Sequence, residues 1–565
     1  MTLPALDIPS RELTRRGRPT LRLKKLRQWI HDLPTANTRK TVHLFVDQLN
    51  QFNQAAYTPN DRIQLLDTLR PVARQLLVTL ARHLKQARIP LSRKNLDTYH
   101  DLHAVLDGMA TGYKIIVSEL ARADSNKEHQ QLLLREAIYH SIQYLGRRLL
   151  TCYMVYAIEP DNIWHELHQL YRYAESRGFH DQPVDDPAPD YSLPVSYTID
   201  LVYKRALLLS LAEPYHLMPG EADDIHYLVS AWTLYCHLRP LTGQTLTGEF
   251  ALDLESDQPP RFIGEEIQWL PHDGRIIDIH EVKQRLEAHL QQILKTAMHN
   301  LEEDRHSMVL RYQRDMLLRL SDAWRGALKR RTPRHSARTT IRMAMGLNAS
   351  HHYINRRNDF TPEMDEFVIR YRDKEDIPSE VLATAYEEAM QKDSYHTTRE
   401  YDANPWWQQN ASPYGAALAC TPESGCSNVK VGEVVAWCDS RACLHWQLGM
   451  VRWLKTRPGE GMELGIMSVA NSAVPVAAKG LQGTGEGTGY FRGLLIPKQV
   501  SVQQRRSLIV PASVFDINSV LSINMKRRLF YVRLRKLLLS THSFNQFEFE
   551  VQEQPPVDPG TLFIA

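Results

Sequence analysis

Long apolar runs are missing from this chain. The longest, around Leu207-Leu208-Leu209 and Val474-Pro475-Val476-Ala477-Ala478, fall well short of the roughly 18 residues that a membrane span needs. The opening residues, Met1-Thr2-Leu3-Pro4-Ala5-Leu6-Asp7, show no basic segment leading into an apolar one, so neither a signal peptide nor a membrane helix is expected. Cysteine is scarce too. Six in 565 residues is too few for a disulfide scaffold and fits a reducing cytoplasm. Nor does charge of one sign dominate. The 68 Lys and Arg stand against 65 Asp and Glu, a formal charge of +3, which gives the whole molecule no general affinity for polyanions. Catalytic signatures are also lacking: there is no Ser-His-Asp order, Gly-x-Ser-x-Gly elbow or His-Glu-x-x-His helix, so an enzyme is not expected.

What is present is globular. Apolar residues make up 43% and charged residues 24%, which excludes a mainly disordered or fibrous chain. The length exceeds one hydrophobic core, and two to four domains are expected. Residues 1–36 form a basic, proline-interrupted arm with Arg15, Arg16, Arg18, Arg22, Lys24, Lys25 and Arg27. It reads as a solvated arm or short helix, or as a segment that holds an anion or a partner. From 37 to 328 the apolar spacing is helical, as in Val42, Phe45, Val46 and Leu49. Thr58-Pro59-Asn60-Asp61 carries the cap, proline and acid of a helix start. The Pro- and Asp-rich stretch near 180–196 is an internal linker. A strand-like patch at 249–254 precedes one long helix over 279–328. Helical hairpins of this kind can stack as a solenoid, but no fixed period is visible.

Beyond 328 the character changes. Short Val- and Trp-rich runs alternate with Gly and Pro, as in Val431-Gly432-Glu433-Val434-Val435-Ala436-Trp437 and Leu448-Gly449-Met450-Val451-Arg452-Trp453. That pattern predicts an antiparallel sheet closing into a barrel. The fold class expected is therefore α+β and multidomain: an all-α first part, then a barrel over 329–500 with a helix-forming insertion at 354–404. Residues 501–565 are expected to add strands to that barrel.

Two short patterns carry the chemistry. Lys329-Arg330-Arg331-Thr332-Pro333-Arg334-His335-Ser336-Ala337-Arg338 stands directly before the first expected barrel strand. Its guanidiniums offer planar forks for phosphate oxygens and for the guanine O6/N7 edge. Further on, Asn410-Ala411-Ser412-Pro413-Tyr414-Gly415 adds an amide, a hydroxyl and a residue without Cβ where a ligand can approach the backbone. Such a set suits a compact, doubly charged guanine dinucleotide.

Here the sequence resembles the PilZ family of bacterial cyclic di-GMP receptors over roughly 329–500. Arg330 and Arg334 match its RxxxR motif, in the Arg-Arg-x-Pro-Arg form, and Asn410, Ser412 and Gly415 match its [D/N]xSxxG motif. The resemblance implies a non-catalytic receptor in which Arg330, Arg331 and Arg334 grip phosphates and guanine faces. Asn410 and Ser412 would close the opposite side. Signatures of cyclic di-GMP synthases and hydrolases are not found, so sensing is implied, with no metal or other cofactor. The helical part would then pass the signal to a protein partner. The insertion lengthens the gap between the motifs, so it has to loop out for them to meet. Asn348-Ala349-Ser350 is a nearer half-match, but Tyr353 stands where the glycine belongs.

Other signals yield to simpler readings. Gly483-Thr484-Gly485-Glu486-Gly487-Thr488-Gly489 opens no helix and precedes no Lys-Ser/Thr, so it reads as a loop between strands. Cys420, Cys426, Cys438 and Cys443 lack the tight spacing of zinc knuckles and read as ordinary buried thiols. Two alternatives to the receptor remain open. One is nucleic-acid binding through Arg330, Arg331, Arg334, Arg338, Arg342, Arg356 and Arg357, with Trp406, Trp407, Trp437 and Trp453 stacking bases. The other is a degenerate barrel that binds only protein.

Overall fold

In a computed structural model of the chain, the described residues are 4–9 and 22–552, apart from 86, 125–126, 187–188, 190–194, 242–246, 265–270, 300–303, 327–334, 364–400, 422–423, 427, 441–442, 444, 499–505 and 526–527. The chain divides into two compact units. One is Met1–Lys329 with Lys455–Gly459, and the other is Arg330–Leu454 with Glu460–Ala565.

The first unit opens with helices α1 (Leu23–His31), α2 (Thr38–Gln54), α3 (Pro59–Lys85), α4 (Arg93–Ala123), α5 (Glu128–Met154), α6 (Ile163–Ser176), α7 (Ile199–Leu211) and α8 (Glu221–Trp232). Helix starts follow the sequence: Ser92 Oγ accepts from Asn95 N, and Thr198 Oγ1 accepts from Leu201 N. α5 packs against α3, α4, α6, α7 and α8, and buried residues such as Ile138, Ile142 and Leu149 surround its axis. One helix touching five others is a globular core, whereas solenoid repeats touch only their neighbours. Lys114 Nζ donates to Glu166 at 2.8 Å, a nearly buried ion pair between α4 and α6. Arg15, Arg16 and Arg18 of the basic arm lie outside the described residues, while Asp7 N donates to Glu166 Oε1.

A small antiparallel sheet follows, of β1 (His237–Pro240), β2 (Glu249–Asp253), β3 (Arg261–Ile263) and β4 (Gly274–Asp278), in the order β1-β4-β2-β3. Only β2 was visible as a strand in the sequence. The single long helix expected over 279–328 is instead a packed pair, α9 (His280–His299) and α10 (Asp304–Trp324).

The second unit holds β5 (His335–Met345), α11 (Leu347–Ile354), β6 (Ala403–Ser412), β7 (Gly415–Cys420), β8 (Val434–Asp439), β9 (Gln447–Arg457) and β10 (Gly461–Ala470). It continues with β11 (Val474–Gln482), β12 (Phe491–Ile496), β13 (Ser507–Pro511), β14 (Val520–Met525), β15 (Arg528–Ser540) and β16 (Phe544–Gln552). β5 to β10 close one barrel and β11 to β16 close another. This corrects the expectation of one barrel over 329–500 with a C-terminal extension. β11 and β12 do not continue the first barrel; they pair with β14 and β13 of the second. Numbered from its own first strand, each barrel has the same circular order, 1-2-3-6-5-4.

The two barrels share a core. Val434, Leu448 and Met450 of the first meet Leu494, Ile496, Ile509 and Phe544 of the second, with Leu347 of α11. Ser543 Oγ donates to Glu433 Oε2 at 2.8 Å beside them. The Gly-rich stretch at 483–489 joins β11 to β12, as a loop between strands.

Candidate functional site

One end of the first barrel opens into a cavity of about 1030 Å³. Because neighbouring strands run antiparallel, the first residues of β5, β7 and β9 and the last of β6, β8 and β10 meet at this end. Thr339, Ser412, Gly415, Trp437, Gln447 and Ser468 are among the residues that line it.

The register of β5 against β6 sets the residues just after the arginine pattern beside the Asn-x-Ser pattern. His335 lies opposite Ala411 and Ser336 opposite Asn410. Arg334 immediately precedes His335 in the chain, so the arginine pattern ends where the Asn-x-Ser pattern stands. α11 follows β5 directly, and β6 pairs alongside β5 although some sixty residues separate the two strands in the chain. The helix expected around 381–388 lies outside the described residues, as do Arg330, Arg331 and Arg334.

The three motif residues of β6 and β7 have different surroundings. Ser412 lines the cavity and its Oγ donates to Gly415 O at 3.3 Å. Asn410 sits at a register shift in β6, between Gln408 and its own pairing with Ala417, and is not among the cavity residues. Its Oδ1 is buried and accepts no hydrogen bond among the described residues. Gly415 borders the cavity, but its missing Cβ has another explanation. A Cβ there would stand 2.0 Å from Ile466 O of β10. The sequence reading left that space for a ligand, whereas the neighbouring strand already fills it. The nearer half-match is no competitor: Asn348 and Ser350 are in α11, where Ser350 is buried.

Two of the four tryptophans offered for base stacking are buried. Trp406 is 2% exposed and Trp437 7%, while Trp407 is 49% exposed. A Cβ at Gly465 would overlap the Trp453 ring, 1.9 Å from its Nε1, so that ring lies flat across β10. Arg342 turns its guanidinium to Ala403 O. Among the described residues, these tryptophans and Arg342 do not form a continuous basic and aromatic face for single strands. Cys438 and Cys443 are paired as a disulfide, against the expectation of free thiols, and Cys420 and Cys426 are buried and free. Among the described residues, no group of three or more His, Cys, Asp or Glu is placed to hold a metal. Among the described residues, no helix is long and apolar enough to cross a membrane.

Sequence reasoning did not find Tyr414, Asp439, His445, Gln447 or Asn471, which also line the cavity. Only the barrel's closure brings these strand ends together; Tyr414 alone was within reach, because it lies inside the Asn-x-Ser-x-x-Gly pattern.

Comparison with known families gives three matches in chain order. Residues 24–242 match the N-terminal domain of the cyclic-di-GMP receptor FimW. Residues 249–366 and 369–475 match that receptor's middle PilZ domain, and 476–552 match the FimW C-terminal beta-barrel domain. The boundary at 475 and 476 coincides with the passage from the first barrel to the second. The middle match begins at the small sheet, well before the barrel. A curated relative, the cyclic-di-GMP receptor FimW of Pseudomonas aeruginosa, is 25% identical over 583 residues, covering 96% of this chain and 93% of the relative. No solved structure matches the chain.

Proposed function

For a chain that belongs to the PilZ family, with FimW-type domains on either side of the PilZ barrel, we propose the function of a cyclic di-GMP receptor that acts by binding alone. The observation that carries this reading is the β5–β6 register, which sets His335 opposite Ala411, between Asn410 and Ser412. Arg330, Arg331 and Arg334 precede that point by at most five residues. At roughly 3.3–3.6 Å per residue, such a segment reaches across the end of a barrel.

In this reading the arginines take the phosphates and a guanine edge through charge-assisted bonds of about 1.5–3 kcal/mol each. Ser412 reaches a phosphate oxygen. The buried, orphaned Asn410 Oδ1 is an acceptor that a guanidinium of the arginine motif can satisfy, which would tie that motif to β6. An affinity near micromolar, about −8 kcal/mol, is expected. That segment follows α10 and leads into β5, so its capture would change the arrangement of the helical and barrel parts and thereby regulate a protein partner. The proposed place of action is the cytoplasm.

Titration calorimetry of the whole protein with cyclic di-GMP tests the reading, with GTP and cyclic di-AMP as controls. Saturable binding that is lost in Arg334→Ala and weakened in Ser412→Ala is expected. No heat from any of the three would reject the receptor and leave a barrel that binds only protein.

A further inference from the structure

The cavity at the end of the first barrel carries one large side chain whose placement the fold does not require. Tyr414 is 55% exposed, although a buried aromatic ring is among the strongest sources of stability available to a barrel. It occupies the second position of the two-residue turn between Ser412 and Gly415. Its backbone is held firmly there, because Tyr414 O accepts from Ser468 N at 2.9 Å and Pro413 fixes its own φ on the other side. Among the described residues the ring has no aromatic or cationic partner, and its hydroxyl has no hydrogen bond. The turn thus presents a half-exposed aromatic ring, without a ring or cation partner among the described residues, at the rim of the cavity, two positions after Ser412.

We propose that Tyr414 is the base-stacking platform of this site and adds to its affinity for a dinucleotide. The inference rests on the receptor reading above and adds to it a recognition element outside the matched motif positions. The Tyr face is large and sits on an ordered turn, so stacking loses little freedom on binding. Stacking of one base on an aromatic side chain is worth enough to change affinity roughly 5- to 150-fold. A π-face is common to all bases, and so the ring adds to affinity whatever the base, while guanine recognition stays with the polar groups around it.

The test is cyclic di-GMP and cyclic di-AMP titration of wild type, Tyr414→Ala and Tyr414→Phe, with thermal unfolding of each. Support would be a 5- to 150-fold loss in the alanine variant, near-wild-type affinity in the phenylalanine variant, and unchanged unfolding temperatures. Alanine and wild type binding alike would overturn the stacking role and leave the receptor standing. Equal losses in alanine and phenylalanine would also overturn it, since the hydroxyl would then be the contact. A wild type that binds neither dinucleotide would reject the receptor reading and this platform with it.

Discussion

Replacing Gly415 with alanine sets the fold's demand on that position against the ligand's. The new Cβ would lie 2.0 Å from Ile466 O, whereas carbon–oxygen contacts of this kind settle at about 3.3–3.6 Å. β7 and β10 must therefore part by more than an ångström locally. The register there pairs Gly415 with Met467 and Ala416 with Ile466, and Ser468 N to Tyr414 O closes the ladder. A shift of that size breaks two backbone hydrogen bonds whose groups stay partly buried, at about 1–2 kcal/mol each, so roughly 2–4 kcal/mol in sum. In a chain of several domains, a single melting temperature averages this away. Amide hydrogen exchange resolves it. Protection along β7 and β10 should fall roughly 30- to 900-fold in the variant without any ligand. Unchanged protection with cyclic di-GMP binding abolished would refute the argument and return the glycine to the ligand.

Phe544, fully buried in the core that the two barrels share, should cost about 3–5 kcal/mol when replaced by alanine. Urea unfolding followed by barrel-specific probes should show both barrels weakened, and a loss confined to the second would contradict the shared core. Burial, reinforced by Asp67 and opposed by Arg70, raises the Glu136 carboxyl to about 7. The stability tied to its protonated form is complete below the ordinary glutamate value near 4.3 and is lost as pH rises through 7. Glu136→Gln should therefore match wild type in thermal unfolding near pH 4 and exceed it at pH 8; a pH-independent difference would count against this. Ser412→Ala removes one hydroxyl contact and should weaken cyclic di-GMP binding about tenfold with the barrel intact, as read by titration.

The first barrel was legible because Val434–Trp437 and Leu448–Trp453 are short runs dense in β-formers and bounded by turn residues. The second barrel is built from strands of the same kind, yet it was read as an extension. Nothing in β11 itself says that it pairs with β14 and not with β9; closure is a long-range choice. Its counterpart of the arginine pattern is also missing, since Asn471-Ser472-Ala473 precede β11, so no motif marked a new barrel. The small sheet was mostly invisible because β1, at His237–Pro240, is largely exposed and shows no alternation. α9 and α10 share one helical periodicity, and a break in a hairpin of that kind leaves little trace in apolar spacing.

The site was half legible. Both motifs could be read from the sequence, and the β5–β6 register sets His335 and Ser336, which follow the arginine motif, opposite Ala411 and Asn410. The reason for Gly415 was not legible, because its closest neighbour, Ile466 O, belongs to a strand some fifty residues on. Tyr414 could be seen in the turn, but its exposure at a cavity depends on the closed barrel. The pairing of Cys438 with Cys443 depends likewise on how the chain leaves β8.

The most direct test of the account is a hydrogen-exchange footprint of the whole protein with and without cyclic di-GMP. The account predicts new protection over 330–340 and 408–416 together, the two segments joined by the β5–β6 register. Protection confined to the second barrel or to the helical unit, or none at saturating ligand, would contradict it.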